Sequence, residues 1–187
     1  MDAFSYLSVL LSIVLGLGLT QLFTAAGRLI RHREHVRGDW LPLLWAGVLV
    51  VVFVQVWWSM FGLRFHREWT FIQFAVVLAQ TGTLYLMSAV ALPEQVDGNG
   101  VDLRHHYEQQ HRWFFGFFLA ALVISLAKDL VVSGQLPGRS NLAFHAFSIA
   151  VCLSALLIHA RRFQEAVGVV SAAAVAAYIG LLFSRLQ

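Results

Sequence analysis

Charge is scarce in this chain of 187 residues. Charged side chains make up 12% of it, against about 25% in an ordinary soluble domain. Lysine is nearly missing: twelve of the thirteen basic residues are Arg, and Lys128 stands alone. There is one cysteine, Cys152, which cannot close an internal disulfide and leaves the redox compartment open. No P-loop, G-x-S-x-G or H-E-x-x-H motif occurs. Gly16-x-Gly18 lacks the third glycine and the preceding strand of a dinucleotide site. These absences exclude a disordered chain, a basic nucleic-acid binder and a conventional soluble enzyme. Too few charges remain to coat a soluble core of this size.

What is present is apolar: 59% of the residues are hydrophobic. They gather in six runs, Ala3–Gly27, Leu41–Leu63, Thr70–Leu92, Trp113–Ser133, Ser140–Ala160 and Ala166–Ser184. Each is about 19 residues or longer, and a helix needs about 20 to cross the hydrocarbon core of a bilayer. Of the 23 charged residues, only Lys128 and Asp129 fall inside a run. The runs do not alternate polar with apolar, as membrane-barrel strands do. Backbone in lipid must satisfy its own hydrogen bonds, so each run predicts a helix. The expectation is an all-α protein: a six-transmembrane-helix bundle with short loops, forming a single integral membrane domain over residues 1–187. The first run is read as retained. No positive charge precedes it, and it exceeds the 7–15 apolar residues of a signal core, although Ala25-Ala26-Gly27 faintly resembles a cleavage site.

The longest link, Pro93–Arg112, divides the chain into two groups of three helices. A 3+3 arrangement is therefore an alternative to a plain bundle, although no residue pattern repeats between the halves. Within that link Asp102 is placed to cap a short amphipathic helix, Leu103–Gln110. Pro42 suits a first helical turn, and Gly134, Pro137 and Gly138 suit a turn after the fourth helix.

Arg and Lys in short loops set orientation. Loops one, three and five carry Arg28, Arg31, Arg33, Arg37, Arg104, Arg112, Arg161 and Arg162. The opposite side carries Arg64, Arg67, Arg139 and Arg185, with Lys128 if it reaches there. The bias puts the odd loops in the cytoplasm and both termini in the periplasm of a bacterial inner membrane. Trp40, Trp113, Trp57, Trp58 and Trp69 fall near run ends, as expected of interfacial rings. The partner of the chain is the lipid bilayer, not nucleic acid. Arg28, Arg31, Arg33 and Arg37 are candidates for contact with anionic head groups, each charge contributing about 1 kcal/mol near the surface. They also need no role beyond setting topology.

Small residues recur on the first helix at Ser8, Ser12, Gly16, Thr20 and Thr24. The sixth helix is rich in Ala, from Ser171 through Ala177. Such faces let helices approach closely. Both are expected to pack, within one chain or in a homo-oligomer or membrane complex.

The least ordinary residues are Lys128 and Asp129. A charge at the bilayer centre costs about 2.5–3.5 kcal/mol on insertion scales. At about 1.5 Å per residue from Trp113, Lys128 lies about 22 Å along its helix, in the outer half. Its stem is long enough to snorkel to the interface; that of Asp129 is not. Neighbours on a helix point about 100° apart, so the two are expected to find partners on other helices. Tyr6, Gln55, Gln73, His145 and Tyr178 lie at similar depth. Together these seven are the candidate polar intramembrane site of a small-solute, ion or proton transporter or channel. Asp129 or His145 would exchange a proton there, and Lys128 would attract an anion. The same groups also suit plain interhelical hydrogen bonding in a noncatalytic scaffold or accessory subunit.

Eight histidines add a third reading, a metal or haem enzyme. His32, His35, His105, His106, His111 and His159 share one predicted membrane face with several carboxylates, a set suited to iron or zinc. The pattern distantly resembles the histidine boxes of membrane desaturases and hydroxylases, and departs from them in spacing, box number and chain length. His145 and His159 lie 14 residues apart, about four helical turns. That spacing resembles one helix of a diheme cytochrome b, but no second helix offers two buried His. No cofactor is expected on the leading reading.

Overall fold

The computed structural model describes residues 3–66, 68–95 and 100–182. Arg67 and Arg185, counted above for orientation, and the predicted end of the sixth run at Ser184 lie outside the described residues. Six helices follow one another: α1 Ala3–Arg31, α2 Trp40–Ser59, α3 Phe71–Ala91, α4 Leu103–Ser133, α5 Arg139–Leu157 and α6 Arg161–Leu182. Each is long and apolar enough to cross a membrane. The chain is an all-α six-helix bundle, a multi-pass integral membrane protein whose outer face meets lipid. Val9, Ile13, Leu17, Val54, Ile72 and Val123 are among the large apolar side chains exposed on that face.

Local chemistry sets the helix ends. The Asp39 carboxylate accepts from the Leu41 N–H (2.9 Å) and caps α2, with Pro42 in the first turn. Thr70 and Gln73 form a reciprocal capping box on α3. Asp102 accepts from the Arg104 and His105 N–H groups. It was expected to cap a separate surface helix, but that segment runs unbroken into α4, which spans 31 residues. At about 1.5 Å per residue α4 is about 46 Å long, so its first turns stand outside a hydrocarbon core of about 30 Å. Nothing in residues 110–113 breaks helical geometry, and so the two predicted helices fuse. Gly134 closes α4 with φ of 69°, a left-handed conformation that a Cβ disfavours.

The helices pack as a closed circuit: α1 against α3, α3 against α4, α4 against α5, α5 against α6, α6 against α2, and α2 back against α1. α2 also touches α3 and α4 inside the circuit. The most extensive contact, α3 on α4, joins the two halves of the chain. The small stripe on α1 does not mediate this packing. Leu11, Leu15, Gly18 and Leu22 face the core, while Ser12, Gly16, Thr20 and Thr24 are exposed. Gly18 is where α1 meets α2, because a Cβ there would overlap the buried Phe53 ring.

The three odd loops are bound together at one end. Two-residue strands, β1 Val36–Arg37 and β2 Val101–Asp102, pair in parallel and tie the first loop to the third. The Arg28 guanidinium donates to the Glu94 carbonyl. Arg161 reaches from the start of α6 to Asp39.

Candidate functional site

A cavity of about 360 Å³ lies among α2, α3, α4, α5 and α6. It begins at the even-loop end, beside Ser59, Gly62, Ser133 and Asn141, and runs to mid-bundle at Gln80, Ser171 and Phe118. Much of the remaining wall is apolar, including Val52, Val56, Leu84, Leu122 and Val175.

The intramembrane ion pair faces this space. Lys128 Nζ lies 3.5 Å from Asp129 Oδ1, and the two side chains are only 18% and 24% exposed. Partners on other helices were expected, because adjacent residues diverge on a helix. The four-carbon Lys stem spans that angle instead, and the charges neutralise each other beside the cavity.

Across the cavity, His145 on α5 is buried. Its Nδ1–H donates to the Asn141 carbonyl (3.0 Å), and its Nε2 shares a hydrogen bond with the Ser125 hydroxyl at 3.2 Å. The Tyr178 hydroxyl donates to Asn141 Oδ1 at 3.0 Å. Of the seven side chains named from the sequence, Gln55, Lys128, Asp129, His145 and Tyr178 line the cavity. Gln73 does not: at the third position of α3 its amide is taken up by the Thr70 cap and by the Val131 carbonyl. Tyr6 does not either, because α1 is no part of the wall and this ring is 71% exposed.

Two residues missed in the sequence matter as much. Gln80 and Ser171 are 7% and 6% exposed and line the cavity. Among the described residues, neither side chain has a hydrogen-bond partner. Gln80 was legible as an amide in the middle of an apolar run. Ser171 was hidden by its small size within an Ala-rich stretch.

The odd-loop end is built differently. Trp45 packs edge-on against Phe114 and Phe115, both with ring centroids at 5.2 Å, and against Phe118 at 6.2 Å. Phe118 is thus both the floor of the cavity and the top of an aromatic plug. Beyond the plug, Arg161 Nη2 lies 2.6 Å from Asp39 Oδ1, and Arg161 Nε lies 2.8 Å from Glu165 Oε1. Burial raises the Asp39 carboxyl, but the Arg161 hydrogen bond, the Leu41 N–H and the charges of Arg161 and Arg104 outweigh it and hold it below its ordinary value. The Tyr107 hydroxyl donates to Gln164 Oε1 (2.8 Å), whose amide nitrogen donates to the Ala155 and Ile158 carbonyls.

The histidines considered for metal disperse over this end. His32 Nδ1 donates to the Arg28 carbonyl and His106 Nε2 to the Val90 carbonyl. His105 contacts Gln109, while His35 sits in a short 3-10 turn with no side-chain cap. Only His111 and His159 meet, with ring centroids at 4.8 Å. Among the described residues no three His, Cys, Asp or Glu side chains converge on a metal position. His145 and His159, the spaced pair, belong to opposite ends of the bundle: one lines the cavity, the other packs on His111. Of the four head-group candidates, Arg28 is engaged with Glu94 and Arg37 stands 4.0 Å from Asp102, while Arg31 and Arg33 are exposed.

Compared with known protein families, curated proteins and solved structures, the chain gave no significant match.

Proposed function

We propose that the protein is a small-solute carrier of the bacterial inner membrane, with its binding site in this cavity. The observation that carries the reading is a convergence. The intramembrane ion pair, and two buried polar side chains with no partner, front one void of about 360 Å³. Ionisable and unbonded polar groups inside a membrane are costly, and a solute that meets them offsets that cost. Concave, mostly apolar spaces with a few converging polar groups are the usual form of a solute site. Under the positive-inside rule the Arg-rich odd-loop end is cytoplasmic, so both termini and the cavity belong to the periplasmic half. The aromatic plug and the Asp39–Arg161–Glu165 clasp then form the closed inner side, which favours a carrier over an open channel.

The test is solute retention. Proteoliposomes are loaded from an isotope-labelled bacterial metabolite extract, and their contents are compared for the native chain and Asp129→Asn. Enrichment of a solute class by the native chain, lost in the variant while insertion is intact, is expected. Identical contents would overturn the proposal.

One observation favours a second reading, a subunit that docks on other membrane helices. The stripe of Ser12, Gly16, Thr20 and Thr24 faces away from the bundle, and a Cβ on Gly16 would meet nothing within 4 Å. Gly16→Leu should then alter the assembly state seen by native mass spectrometry without harming the fold. An unchanged assembly state would remove this reading.

A further inference from the structure

We infer that the solute is a small zwitterion, carrying an amine and a carboxylate on one apolar body as an α-amino acid does. The inference rests on the carrier reading and adds the class of ligand. Its first support is charge balance. Lys128 and Asp129 contribute equal and opposite charges to the cavity, and they stand 3.5 Å apart. A solute with a single charge would leave one charge uncompensated in a space of low dielectric, where an unpaired ion is strongly disfavoured. A solute with both charges leaves the site neutral. Its carboxylate takes the Lys128 ammonium and its ammonium takes the Asp129 carboxylate, so the existing pair is exchanged for two new ones.

Shape is the second support. The ion pair lies toward the even-loop end, where α4 terminates. The cavity continues inward past Val52, Leu122 and Val175 to Phe118. A charged head near Lys128 therefore leaves an apolar body directed at the floor. About 360 Å³ is ample for an aromatic amino acid and at the lower end of the range for drug-sized ligand pockets. Near the floor, the unspent Gln80 amide and Ser171 hydroxyl would accept or donate one hydrogen bond to a polar atom at the far end of that body, such as a phenol or an indole N–H. Tyrosine and tryptophan satisfy every part of this description, and phenylalanine all but the last.

The test is a matched set of four ligands on the purified full chain in nanodiscs: tyrosine, phenylalanine, phenethylamine (cation only) and 3-phenylpropionate (anion only). Thermal shift and equilibrium dialysis both read binding. Tyrosine should bind tightest, with each single-charge analogue weaker than phenylalanine by about tenfold or more. The preference should invert with the site's charge. Asp129→Asn leaves a lone cation and should select 3-phenylpropionate; Lys128→Met leaves a lone anion and should select phenethylamine. If either variant fails to fold, the ranking on the native chain still decides. A native chain that prefers a single-charge analogue retains its solute site and overturns the zwitterion. A native chain that binds none of the four overturns the zwitterion too. The metabolite-extract measurement then judges the carrier reading separately, since it assumes no ligand class.

Discussion

At the odd-loop end, buried polar groups are crowded. A void beside Trp45, Tyr107 and His111 measures about 10 Å³, and the buried Trp45 Nε1 and His111 Nε2 near it have no hydrogen-bond partner among the described residues. That is room for about one water molecule. Above the plug, on the even-loop side, Gln80 and Ser171 are also buried residues without a hydrogen-bond partner among the described residues, but they open onto about 360 Å³. The same unsatisfied chemistry thus has different consequences at the two ends, and volume decides between them. One end can complete its bonds only with solvent; the other has space for a solute. The surrounding packing follows suit, with interlocked rings and a three-residue clasp at the first end and a single ion pair at the second.

The comparison breaks most visibly if the plug is emptied. Trp45→Ala removes the ring that Phe114, Phe115 and Phe118 all contact, and should cost about 3–5 kcal/mol in a detergent melt. On the carrier reading it should also make proteoliposomes leak solute. A variant that melts like the native chain would show that the rings do not seal this end.

The clasp is next. Arg161→Met leaves the Asp39 carboxylate, 7% exposed, without its cation and should cost about 3 kcal/mol. Its pH dependence has a definite sign. The Asp39 carboxyl is held below its ordinary 3.8 in the folded chain. Its stabilising contribution is therefore complete above that value and lost as pH falls through the lower, folded value. In Arg161→Met only burial and the Leu41 N–H remain as major influences. Burial, the largest influence, raises the carboxyl and disfavours its charged form, so protonation relieves the variant and its melting temperature should hold or rise as pH falls, where that of the native chain drops. Melting curves between pH 7 and 3 read this directly, and parallel curves for the two chains would refute the clasp.

How far the sequence disclosed all this follows from what each residue signals alone. Six spans were legible because lipid demands long uncharged runs, and Lys128, Asp129 and His145 stand out as polar breaks in those runs. Rotation about each helix axis was not legible. Tyr6 and Gln55 look alike in a list of polar residues at one depth, yet one faces outward and the other the cavity. Gln73 was misread because a residue three places into a helix serves the cap before it serves any site. The pairing of Lys128 with its own neighbour was not legible because spacing reports the divergence of adjacent residues on a helix and not the reach of a four-carbon stem. The β1–β2 bridge is two residues on each side, too short to leave a periodicity.

Rotation can be tested on α1, where Gly16 and Gly18 point to opposite surroundings. Gly18→Val forces methyl groups into the Phe53 ring and should cost about 1–3 kcal/mol. At Gly16 an added Cβ meets nothing within 4 Å on the exposed face, so Gly16→Val should leave the melting temperature of the monomer nearly unchanged. Equal effects at both positions would mean that α1 is turned differently about its axis.

The smallest expected effect on stability is the most informative for function. Gln80→Leu replaces a buried amide that has no partner among the described residues with an apolar side chain of similar volume. Removing an unsatisfied polar group in this way is neutral or stabilising, by up to about 1 kcal/mol. A residue kept for folding would show the reverse, a lower melting temperature. A residue kept for a solute would show an unchanged or higher melting temperature together with weaker tyrosine binding in nanodiscs. That opposition between stability and binding is the signature of a functional polar group in an apolar wall, and at Trp45 or Arg161 it is not expected, because there the side chains hold the bundle shut.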